Sequence, residues 1–135
     1  LSLGAKWREH IFKVHVLAPL KEKFQGMDIE LKNRGINIKR PEWTQYIRLD
    51  WGNTLGNNAS IGITTNIAGP KMKQKIDCFS GPKSYAPNDW WPYGRKDLDG
   101  KYWEIPQMVN GELVDYLYRK ILSILEKIKE KRLPM

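Results

Sequence analysis

The 135 residues are 41% hydrophobic and 28% charged, the balance of an ordinary soluble globule with enough chain for one core. That composition excludes a disordered, collagenous or disulfide-stapled chain, and no stretch approaches the roughly 18–20 consecutive apolar residues of a membrane span. Lys and Arg outnumber Asp and Glu by 23 to 15, a formal net charge of +8, which favours polyanionic partners, nucleic acid first; solvated surface lysines are the plainer explanation.

Residues 5–25 read as mainly helical. Trp7, Ile11 and Val14 fall on one stripe, while Phe12, Val16, Leu20 and Phe24 repeat every four residues beside it. Pro19 is expected to kink the segment or start a second short helix, and Gly26 to end it. The alternation of Phe12, Val14 and Val16 leaves a strand as the rival. Residues 27–42 are ambiguous: Ile29 and Leu31 alternate with charges, Gly35 interrupts, and Ile36 and Ile38 alternate again before Pro41.

Residues 43–51 predict a strand with Ile47, Leu49 and Trp51 on one face and Tyr46, Arg48 and Asp50 on the other. Residues 52–58 are dense in turn formers. Residues 60–65 resume a strand, Gly69-Pro70 turns, and residues 72–79 predict a third, closed by Gly81-Pro82. Short turns between three strands suggest an antiparallel meander. Residues 81–110 form a long connection rich in proline and aromatic rings, too apolar for a linker. Asn110 is a plausible N-cap for a final helix, in which Leu113, Leu117, Ile121, Ile124 and Ile128 recur at three- and four-residue steps and Pro134 marks the stop.

Together these elements predict one α+β domain over residues 1–135. A small antiparallel sheet of three or more strands is packed on one face by an N-terminal and a long C-terminal helix, with the aromatic connection closing one end. The opening Leu-Ser-Leu-Gly, with no methionine and no signal pattern, reads as the start of a piece cut from a longer protein. Cys78, the only cysteine, has no partner for an internal disulfide, which favours a reducing, cytoplasmic setting and a buried, inert thiol.

Four groups of residues carry candidate chemistry. His10 and His15 stand five apart, which does not place them on one helix face, so no metal site is assigned. Asp28, Glu30 and Lys32 alternate and share one side of a strand, the arrangement by which a small Mg²⁺-dependent nuclease holds its metal and positions water; a solvated strand face explains the same pattern. Asp99-Gly100-Lys101 repeats that spacing more weakly, and so short a motif recurs by chance. Lys71, Lys73 and Lys75 set three ammonium groups on one side of a strand, suited to phosphate contacts or, more plainly, to protection of a sheet edge. Trp90 and Tyr93, beside Arg95 and Lys96, can stack on nucleobases or, together with Trp91 and Trp103, wall a ligand pocket; burial under the loop is the default for rings of this size.

The second half also carries a resemblance. Trp90-Trp91-Pro92-Tyr93-Gly94, then Tyr102-Trp103, then residues 110–116 leading into a Leu/Ile/Lys/Glu helix, resemble the C-terminal segment of bacterial proteins assigned to the PD-(D/E)XK nuclease superfamily, as does the glycine in Ile61-Gly62-Ile63. The resemblance covers about the last 90 residues of the sequence and rests on aromatic pattern. It implies a non-catalytic C-terminal domain with a nuclease-like domain upstream, and it transfers no catalytic residue. The expected function is an accessory or recognition domain binding DNA or RNA, or supporting that upstream domain. The alternatives are a protein-interaction or structural domain, whose C-terminal helix offers a second apolar edge, and the small nuclease.

Overall fold

In a computed structural model of the chain, the described residues are 3–52, 59–65, 83–99 and 102–135. The strand expected over residues 72–79, with Lys71, Lys73, Lys75 and Cys78, lies outside them.

The N-terminal segment is helical, and Pro19 dictates how. Helix α1 (Leu3–Phe12) passes through a π-helical turn, Lys13–Leu17, into the short helix α2 (Ala18–Lys23). Proline has no N–H, and its ring clashes with the carbonyl four residues earlier in a regular helix. The wider turn, in which the Ala18 N–H reaches back to the Lys13 carbonyl, accommodates the ring without breaking the helix axis. Phe12, Val16, Leu20 and Phe24 are all buried, whereas Trp7 and Val14 of the neighbouring stripe are about half exposed.

Six strands follow among the described residues: β1 (Asp28–Leu31), β2 (Gly35–Lys39), β3 (Gln45–Asp50), β4 (Ser60–Thr65), β5 (Lys83–Tyr85) and β6 (Arg95–Asp97). They form one antiparallel sheet in the order β1-β2-β3-β4-β6-β5. The ambiguous stretch before Pro41 resolves into the β1–β2 hairpin. Asn33 and Arg34 both take positive φ, at 49° and 57°, and the Lys32 N–H donates to the Gly35 carbonyl at 2.9 Å. This is the two-residue turn whose twist matches that of the strands it joins. β5 and β6 lie inside the aromatic connection, which therefore adds two strands to the sheet.

Helix α3 (Ile105–Val109) opens on a capping box between Glu104 and Gln107. Helix α4 (Glu112–Lys131) has Gly111 at its N-cap, one residue after the expected Asn110, although the Asn110 side chain does accept the Glu112 N–H at 2.9 Å. It stops at Arg132 in the left-handed region, with the Leu133 N–H donating to the Ile128 carbonyl. That reversal turns the chain three residues before Pro134's successor and lays the C-terminal residues against β3.

The helices cover one face of the sheet. Ile36, Ile38, Ile47, Leu49, Ile61 and Ile63 meet Phe12, Val16 and Leu20 from the N-terminal segment and Leu113, Leu117, Ile121 and Ile124 from α4, all nearly sealed from solvent. Phe12 packs on Trp51 with ring centroids 4.2 Å apart. Each such side chain contributes about 1.5–3 kcal/mol by leaving water, so this single layer dominates the stability of the fold. Among the described residues, no helix is long and apolar enough to cross a membrane.

Candidate nucleic-acid interface

Residues directly opposite in an antiparallel pair lie on the same face. The register therefore lines up Glu30, Asn37, Arg48, Gly62 and Arg95 across β1, β2, β3, β4 and β6 on the face away from the helices. Gly35, Asp50, Ser60 and Asp97 form the next row. Arg48 acts locally: it donates to the Lys32 and Asn33 carbonyls at 3.0 and 2.6 Å and to Asn37 Oδ1 at 2.6 Å, fastening the β1–β2 turn.

Arg95 anchors the other end of the row. Its Nη1 donates to Asp50 Oδ2 at 3.2 Å, and its guanidinium lies 4.6 Å from the Trp91 ring centroid, a charge pair combined with a cation–π contact. Gly62 makes this possible. A Cβ there would lie 2.8 Å from the Gly94 carbonyl oxygen, 2.9 Å from Arg95 Cγ and 3.0 Å from Trp91 Cε3, so only glycine lets strand and loop approach so closely.

The loop carrying the tryptophans is braced by hydrogen bonds to its backbone groups. Asn88 Oδ1 accepts the N–H groups of both Trp90 and Trp91 at 2.9 Å, and the Asn88 N–H donates to the Trp91 carbonyl at 3.0 Å. Thr64 on β4 donates its hydroxyl to the Trp90 carbonyl at 2.8 Å. On this fixed loop the Trp90 ring is 50% exposed.

The residues named from the sequence thus separate. Arg95 lies against the Trp91 ring at the polar face, and Trp90 stands half exposed on the braced loop. Tyr93 and Lys96 are buried instead: strand alternation turns Arg95 and Asp97 to the polar face and Lys96, opposite Ile61, to the helix side. Lys71, Lys73 and Lys75 lie outside the described residues. Asp28 and Glu30 stand exposed on one face of the edge strand β1, while Lys32 opens the turn. Among the described residues, no three His, Cys, Asp or Glu side chains cluster as a metal ion requires.

A second polar cluster escaped the sequence reading. Lys120, inside the apolar stripe of α4, lies 3.8 Å from Asp99 Oδ1 and donates to the Tyr116 hydroxyl at 3.2 Å. Tyr116 in turn donates to Asp99 Oδ2 and packs on Trp103 at 5.0 Å. Burial holds the Lys120 ammonium below its ordinary pKa against the pull of the Asp99 carboxylate, and the Lys96 charge acts in the same direction as burial. Burial, then the hydrogen bond and charge of Asp99, push the Tyr116 phenol well above its ordinary value. The available signal was a lysine three residues after Leu117 and four before Ile124, within the stripe that faces the core.

Comparison with known protein families, with characterised proteins and with solved structures gave no match to this chain.

Proposed function

We propose that this chain is a non-catalytic accessory or recognition domain that binds nucleic acid or supports a nuclease-like partner domain. The observation that carries the reading is Trp90, half exposed on a loop braced by Asn88 and Thr64; its chain neighbour Trp91 carries the Arg95 guanidinium on its ring. A large ring held in water by a fixed backbone is a stacking platform, because every base offers it a π-face. The excess of 8 positive charges supplies long-range attraction for phosphates. Lys71, Lys73 and Lys75 are assigned to phosphate contacts, with Arg95 holding the Trp91 ring. The single Cys78 fits a reducing, cytoplasmic compartment.

Binding of short labelled single- and double-stranded DNA and RNA over a salt series tests this. Affinity should fall steeply with salt, and Trp90→Ala should weaken binding to single strands by about tenfold or more, the worth of one stacked base. Replacing the three lysines should flatten the salt slope by roughly two to three. Absent binding at low salt sinks the proposal.

A further inference from the structure

The outer side of α4 carries a pattern that the core does not use. Asp115, Arg119, Leu122, Glu126 and Lys129 recur at steps of four, three, four and three residues, the heptad spacing that keeps a stripe on one side of a helix. All five are exposed. Leu122, 38% exposed, is the apolar centre, and Tyr118 and Leu125, half-buried, widen it on one side. Beside the stripe runs a groove of about 770 Å³ between α4 and the chain entering β3, walled by Arg40, Trp43, Leu122, Leu125, Ile128 and Met135. An apolar strip flanked by charges on a surface helix is the form a helical partner takes up.

The order of charges along the stripe identifies the partner. From the N-terminal end it reads negative, positive, leucine, negative, positive. Reversed, it reads positive, negative, leucine, positive, negative, so every charge meets its opposite when two copies lie antiparallel about Leu122. Asp115 falls opposite Lys129 of the second copy, and Arg119 opposite Glu126, each contact occurring twice by the two-fold axis. We infer that the chain forms a two-fold antiparallel homodimer through α4, with Leu122 at the axis and the groove receiving the second copy's apolar side chains. The existing Arg119–Asp115 ion pair, 2.9 Å long and largely exposed, is screened by water and weak, so exchanging it for contacts across the axis is easy.

This inference is independent of nucleic-acid binding. Sedimentation equilibrium of the full chain from low micromolar to about millimolar concentration tests it, with circular dichroism confirming that each variant folds. Leu122→Arg should raise the dimer Kd by about tenfold or more, since it sets two like charges at the axis. Glu126→Lys should raise it by roughly threefold to tenfold, and adding Arg119→Glu should restore most of the loss, because the double exchange recreates the complementary order. A monomer over the whole range, a dimer indifferent to Leu122→Arg, or a double variant no tighter than Glu126→Lys would each overturn the proposal.

Discussion

At the level of single residues, the least ordinary group is Lys120, an ammonium drawn into the helix-facing layer by the α4 stripe. Its folded pKa lies below the 10.5 of the free side chain. In the window between that lowered value and 10.5 the unfolded chain binds the proton and the folded chain does not, so stability rises with pH there. Below the window both states are protonated, and the unfavourable burial of the charge is felt in full. Lys120→Met removes the titration. The stability difference between wild type and variant should shift toward wild type as pH rises from neutral to about 10, read from urea midpoints. Tyr116 acts in the opposite sense, because its raised pKa contributes stability that is lost as pH climbs past the ordinary phenol value. A Tyr116→Phe background therefore isolates the lysine. Parallel pH profiles with and without Lys120 would refute the account.

At the level of elements, two local devices shape the fold. The π-turn before Pro19 inserts the proline while keeping Phe12, Val16 and Leu20 on the sheet. Had the helix broken there, α2 could not lie over β1 and α4 as it does. The β1–β2 turn uses Asn33 and Arg34 in the left-handed region, where asparagine is tolerated and arginine is strained. Arg34→Gly should therefore raise stability by about 0.5–1 kcal/mol, a few degrees in Tm. The backbone bond from the Trp51 N–H to the Arg34 carbonyl does not need the side chain and should persist. An unchanged or lower Tm would mean that the Arg34 side chain holds the turn more strongly than its backbone opposes it.

For the whole molecule, the C-terminal residues join its two layers. The Met135 carbonyl accepts the Gln45 N–H at 2.8 Å and the Thr44 hydroxyl at 3.0 Å, and the Pro134 carbonyl accepts Gln45 Nε2 at 2.7 Å. Gln45 is buried, so removing its acceptor strands a desolvated amide. Deleting residues 134–135 should lower stability by about 1–3 kcal/mol, and Gln45→Leu in the shortened chain should recover part of it by replacing the unpaired amide with an apolar group. Equal stability with and without the two residues, by chemical denaturation, would show that water satisfies Gln45 instead. The same closure forms one wall of the groove along α4, which ties the candidate dimer face to the integrity of this corner.

Wherever an element has one buried face, its periodicity alone determined its type. The alternation in residues 45–50 and the three-and-four spacing of α4 each name a face, because exposing that many apolar side chains is prohibitive in any arrangement. The strand rival for Phe12, Val14 and Val16 lost to the four-residue repeat for the same reason: only the helix buries Phe12, Val16, Leu20 and Phe24 together. β5 and β6 were illegible, since three-residue strands in a proline-rich stretch have no period to read and exist through the pairing of β6 with β4 and of β5 with β6. The candidate interface was legible in composition and not in geometry. Trp90 and Arg95 could be named, but which of Arg95 and Lys96 reaches the polar face depends on register, and register is set by a partner strand 33 residues earlier. The Lys120 cluster is likewise tertiary: a lysine in an apolar stripe is visible in the sequence, whereas the Asp99 carboxylate that answers it arrives only when the chain after β6 folds across α4.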